Sequence, residues 1–108
     1  MNDVTTLSVR TFRAGTDKEA ALKPLEEASE AREAWQRLDG MLDYLSMVKL
    51  EQPHMAKYIN LDAERFDLAD ELADTITACC NLAARYGIDL QDAIDRVERR
   101  NRERGRYE

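Results

Sequence analysis

The chain has 108 residues, 44% of them hydrophobic and 35% charged, with a formal net charge of −6. That length allows one domain with a modest core that gains from self-association, while the composition is too apolar for a disordered chain and too charged for a membrane protein. Without an apolar run near the roughly 20 residues of a bilayer span, and with a net sign that opposes non-specific binding to nucleic acid, a cytoplasmic protein with neither partner is expected.

Residues 1–15 form an arm of uncertain form. Val4, Thr5, Thr6, Val9 and Thr11 favour strand, but Val4, Leu7 and Phe12 do not keep a period of two. Thr16 and Glu19 have the spacing of a capping box, so a helix should begin there. Pro24 lacks an N–H, and the first turns are expected as a separate piece, with the main helix opening at Pro24. From there Leu25, Ala28, Ala31, Trp35, Leu38, Leu42 and Leu45 make one apolar stripe running to about Glu51, with Trp35 expected in the core. Pro53 ends this helix, and residues 52–61 read as a connection with one turn around Ala56 to Ile59.

Asp62 is the expected N-cap of a second long helix, with Phe66, Ala69, Leu72, Ala73, Ile76, Cys80 and Ala83 on its apolar side. Gly87 and Ile88 predict its stop, with glycine in the left-handed conformation. Asp89 predicts the cap of a third helix, with Leu90, Ala93, Ile94 and Val97 on one side and an end near Gly105. Cys79 and Cys80 are adjacent within a helix, where no ordinary disulfide can join them, and they are expected as buried reduced thiols. His54, the sole histidine, is expected at the surface. These elements predict one all-α domain over 1–108, a helical bundle completed by oligomerisation, with a basic tail at 100–108.

Two acidic ridges carry the chemistry. At 100° per residue, Glu26, Glu27, Glu30 and Glu33 share one side of the first helix, and Asp67, Asp70, Glu71 and Asp74 share one side of the second. A solvated face is the plainer reading of such ridges. Against it stand Glu26 with Glu30, Asp67 with Glu71 and Asp70 with Asp74, like-charge pairs four apart that each cost about 0.2–0.5 kcal/mol in an isolated helix. A divalent cation would remove that repulsion. Mg2+ suits an all-carboxylate site shared with substrate phosphates, and Mn2+ can replace it.

The segments Leu25-Glu26-Glu27-Ala28-Ser29-Glu30 and Asp70-Glu71-Leu72-Ala73-Asp74 resemble the paired signature of the all-α NTP pyrophosphohydrolase (MazG-like) family. The stretches Asn81 to Leu90 and Arg100 to Gly105 are similar to that family as well. The resemblance implies Glu27, Glu30, Glu71 and Asp74 as ligands of Mg2+, and Glu26 as a supporting acid. It also implies Asn101 and Arg104 as contacts to substrate phosphates. Arg100 belongs with them, on an arginine ridge with Arg96 and Arg104 whose guanidinium forks match phosphate oxygens.

The activity implied is hydrolysis of an NTP or dNTP to NMP and pyrophosphate by a homodimer or homotetramer, with Glu26 or Glu30 taking the proton from water. A catalytically silent helical interaction or regulatory module, of the phage-derived kind, is the competing reading. Mg2+ or Mn2+ would stabilise the enzyme against heat and leave the silent module unchanged.

Overall fold

The computed structural model describes residues 3–108, and its elements in order are α1 (Asp17–Glu51), a 3₁₀ segment (Pro53–Tyr58), α2 (Asp62–Arg85) and α3 (Leu90–Glu103). No strand occurs among the described residues, and the arm at 3–14 has no regular structure. The all-α expectation therefore holds.

The start of α1 follows the capping box. The Thr16 hydroxyl accepts the Glu19 N–H at 3.2 Å, and the Glu19 carboxylate accepts the Thr16 N–H at 3.1 Å. Pro24 does not split the helix: α1 runs unbroken through it. Losing one amide donor is tolerated here because the helix is 35 residues long and the half-buried proline lies along the face turned toward α2. The cap of α2 also differs from expectation. Leu61 occupies the N-cap, Asp62 is the first helical residue, and the Asn60 carboxamide oxygen accepts the Asp62 N–H at 2.8 Å. The single turn expected around Ala56 to Ile59 is a longer 3₁₀ segment beginning at Pro53, where the proline fits the first helical position.

The stop of α2 matches its prediction. Gly87 has φ +65°, and the Ile88 N–H reaches back to the Ala83 carbonyl at 2.9 Å. Asp89 caps α3 by accepting the Asp92 N–H at 3.0 Å.

α1 and α2 form an antiparallel hairpin, and the residues that close it follow a strict alternation of three and four. On α1 this spacing takes Ala20, Pro24, Glu27, Ala31, Ala34, Leu38, Met41, Leu45 and Val48, and from the N-cap of α2 onward it takes Leu61, Glu64, Leu68, Glu71, Thr75, Ala78, Leu82 and Arg85; buried Ala83 and half-buried Asp39, Thr77, Cys80 and Asn81 lie beside it. This is the seam of an antiparallel coiled coil.

The apolar stripes expected to form the core enter it only in part: Ala31, Leu38 and Leu45 of α1 and Cys80 and Ala83 of α2 are buried or half-buried, while other large side chains of both stripes are not. Leu25 is 70% exposed, Trp35 50%, Phe66 70% and Leu72 50%, so Trp35 is not in the core of this chain. Among the described residues the buried apolar set is only Ala31, Ala34, Val48, Leu61, Ala78 and Ala83. Cys79 is exposed and Cys80 half-buried, both as free thiols, which corrects the expectation that both are buried. His54 is exposed, as expected.

Helix α3 barely touches the hairpin and keeps Ile94 and Val97 open to solvent. The radius of gyration is 18.4 Å, against about 13 Å for a compact chain of this length. No helix among the described residues is long and apolar enough to cross a membrane.

Candidate active site

The seam has one unusual stretch. Most positions between the two helices carry alanine, leucine or other apolar groups, but Glu27 from α1 and Glu71 from α2 both take seam positions. Glu30, one turn along α1 and exposed, reaches the same place. One carboxylate oxygen from each of Glu27, Glu30 and Glu71 lies within 4.8 Å of the other two.

Electrostatics makes this arrangement unfavourable on its own. Glu27 is buried, and the Oε2 atoms of Glu27 and Glu71 are shut from solvent with no hydrogen-bond partner. A buried carboxylate oxygen without a partner ordinarily costs more than the stability gained from a typical hydrogen bond. Glu30 responds to its neighbours. The Glu27 carboxylate, and then that of Glu71, push its pKa above the ordinary carboxylate range.

One cation of the chain itself enters the site: the Lys23 ammonium lies 3.1 Å from Glu27 and 3.8 Å from Glu26, and its pKa is raised by the Glu27 contact. A single ammonium cannot neutralise three converging carboxylates. A hard divalent ion fits the donor set, since all three donors are carboxylate oxygens and two of the groups carry an oxygen that nothing else satisfies.

The remaining sequence-derived residues divide into two groups. Asp74 is exposed and is not part of the three-carboxylate cluster; it lies one turn along α2 and lines an adjoining cavity together with Glu26 and Glu27. Arg100, Asn101 and Arg104 are on or just after α3, and the fold does not bring them to the carboxylates within one chain, because α3 stands off the hairpin. Sequence reasoning missed Glu64, whose Oε2 is also shut from solvent without a partner. The signal was available: Glu64 and Glu71 are seven apart, the repeat of the seam.

The cavity has a volume of about 460 Å³ and runs from Glu26, Glu27 and Asp74 at one end to the N-terminal arm at the other. The arm is fastened there from α2. The Phe12 N–H donates to Asn81 Oδ1 at 2.9 Å. The Arg85 side chain, only 7% exposed, donates to Asp17 at 2.6 Å and to the carbonyls of Ala14 and Gly15. Gly15 has φ +72°, a conformation glycine adopts without penalty, and this turns the arm into the first turn of α1.

The family model for phosphoribosyl-ATP pyrophosphohydrolase matches residues 8–101, a span that includes both helices of the cluster, the cavity and most of α3. The chain belongs to this family. It is thereby a member of the all-α NTP pyrophosphohydrolase (MazG-like) superfamily, as the paired acidic segments imply, and the family's reaction is hydrolysis of a nucleotide phosphoanhydride. No curated protein and no solved structure gives a match to the chain.

Proposed function

We propose that this family member is a Mg2+-dependent nucleoside triphosphate pyrophosphohydrolase, converting an NTP or dNTP to NMP and pyrophosphate, with Mn2+ able to replace Mg2+. The observation that carries the reading is the convergence of Glu27, Glu30 and Glu71 with two buried oxygens left unpartnered. A structure that only needed a solvated face would not turn Glu27 and Glu71 into its own seam.

Glu27, Glu30 and Glu71 would hold the cation, and Asp74 would join them from the cavity side. When bound, the ion neutralises phosphate charge and polarises the phosphoryl oxygens. The chain's own groups do the rest. Lys23, on the cavity wall beside Glu27, is placed to meet a phosphate oxygen once the carboxylates are engaged elsewhere. Water bonds to the α-phosphorus as the bond to the bridging α–β oxygen breaks, and pyrophosphate leaves. The proton from water goes to Glu26, exposed beside the cluster, or to Glu30, the exposed member of the cluster itself.

The open apolar stripes at Leu25, Trp35, Phe66 and Leu72 support a homodimer or homotetramer. In such an assembly Arg100, Asn101 and Arg104 of a neighbouring chain would meet the β- and γ-phosphates. A cytoplasmic setting fits free thiols and a nucleotide substrate.

The test is a panel of NTPs, dNTPs and phosphoribosyl-ATP incubated with Mg2+, with pyrophosphate and orthophosphate measured separately. Pyrophosphate release from at least one member of the panel, lost in Glu71→Gln, is expected. Orthophosphate alone, or release at the wild-type rate from Glu71→Gln, would defeat the proposal.

A further inference from the structure

The cavity between the carboxylates and the arm has polar groups whose hydrogen-bonding capacity is partly committed, and the part left over is specific. Asn81 Oδ1 is occupied by the Phe12 N–H at 2.9 Å. Because that partner is a backbone donor, the carboxamide orientation is fixed: oxygen toward the arm, and the NH2 group free to donate. No protein acceptor for that NH2 group occurs among the described residues, and Asn81 lines the cavity.

One turn earlier on the same face of α2, the Thr77 hydroxyl donates to the Ala73 carbonyl at 3.0 Å. Its hydrogen is thereby used, and its lone pairs are left to accept. Thr77 lines the same cavity. Side chains four apart on a helix are neighbours, about 6 Å apart at their Cβ atoms. The wall therefore offers one donor beside one acceptor.

A donor next to an acceptor is what the polar edge of a nucleobase complements, since each base presents an acceptor beside an N–H. The distance also suits a nucleotide. Asn81 is seven residues beyond Asp74, about 10 Å along the axis of α2. A phosphate held at the carboxylates would leave its base at the level of Thr77 and Asn81.

We infer that Thr77 and Asn81 are the base-reading pair of the site: Asn81 Nδ2 donates to a base acceptor, the Thr77 hydroxyl accepts from a base N–H, and the N-terminal arm sets the polarity of the pair by holding Asn81 Oδ1. This rests on the proposed nucleotide reaction but concerns a different end of the cavity. It makes the arm part of substrate selection, because releasing Phe12 would let the carboxamide rotate and present its oxygen instead.

Asn81→Asp is the decisive variant. A carboxylate still accepts the Phe12 N–H, so the arm stays fastened, but the donor facing the cavity becomes an acceptor. Thr77→Val keeps the shape and removes the acceptor, and it carries the test if Asn81→Asp does not fold. Binding of AMP, GMP, CMP and UMP to the full chain in the presence of Mg2+ is measured by calorimetry, alongside KM and kcat for the matching triphosphates.

The wild type is expected to prefer one base. Asn81→Asp should weaken the favoured monophosphate at least tenfold and change the order of preference, raising KM with kcat within a few-fold of wild type. Equal affinities for all four bases in the wild type, or an order of preference unchanged in both variants, would overturn the pair. Base-selective binding that depends on Asn81, in a protein that releases no pyrophosphate, would uphold the pair and defeat the hydrolase instead.

Discussion

Replacing Glu71 with glutamine should stabilise the protein in the absence of divalent ions and remove its response to them. Glu27 and Glu71 are seam residues with oxygens no more than 4.8 Å apart. Two unit charges at that separation repel by about 3.5 kcal/mol at an effective dielectric constant near 20, and by about 0.9 kcal/mol in bulk water. Losing one charge should therefore gain about 1–3 kcal/mol, and each kcal/mol moves the midpoint of a domain this small by about 4–8 °C.

The wild type should recover the deficit through linkage, gaining about 2.7 kcal/mol at a Mg2+ concentration one hundred times its Kd, while Glu71→Gln gains little. Thermal melts of both proteins at pH 8, in chelator and in a Mg2+ series, should then give lines that cross. A Glu71→Gln protein less stable than wild type in chelator, with an equal Mg2+ shift in both, would refute the placing of these carboxylates around a cation.

Asp74→Asn should reduce pyrophosphate release by two orders of magnitude or more in a steady-state assay, with the melting temperature in chelator nearly unchanged because Asp74 is exposed. Arg85→Ala removes the clasp on Asp17, Ala14 and Gly15, so amide exchange at residues 10–16 should accelerate well before the hairpin opens. Thr16→Ala should cost about 1 kcal/mol through loss of the cap, measured by urea unfolding. The Glu19 carboxyl is held below its ordinary pKa, first by the Thr16 backbone N–H. A depressed carboxylate binds fewer protons folded than unfolded, so its contribution is present above the ordinary carboxylate range and lost as pH falls through the lowered value. Thr16→Ala keeps that backbone N–H but removes the Thr16 side-chain contact, the second cause of the lowering, so this part of the stability difference between wild type and Thr16→Ala should shrink in acid.

Local rules made much of the fold legible. The capping box at Thr16, the glycine stop at Gly87 and the Asp89 cap are each decided within a few residues of chain, by backbone groups that need a nearby partner. The sites of Glu27, Glu30 and Glu71 were equally visible, because residues three or four apart must share a helix face. Which face meets which was not. Periodicity placed Ala31, Leu38 and Leu45 on the buried side of α1, yet Leu25, Trp35, Phe66 and Leu72 of the same stripes face outward, and the hairpin closes along a seam that also contains Glu27, Glu64 and Glu71.

The physical reason lies in the size of the chain. A single stripe per helix marks the most hydrophobic surface, but a chain this short can have two burial partners, its own second helix and another molecule, and periodicity does not say which stripe belongs to which. The amino-acid sequence by itself determined the helices, most of their ends and the carboxylates that share a face. Only the tertiary structure decided that those carboxylates line the contact between helices, that Asp74 belongs to the cavity beside them, and that the arm is tied to Asn81 and Arg85, because each of these is a relation between residues about 40 to 70 positions apart that loop length and packing had to bring together.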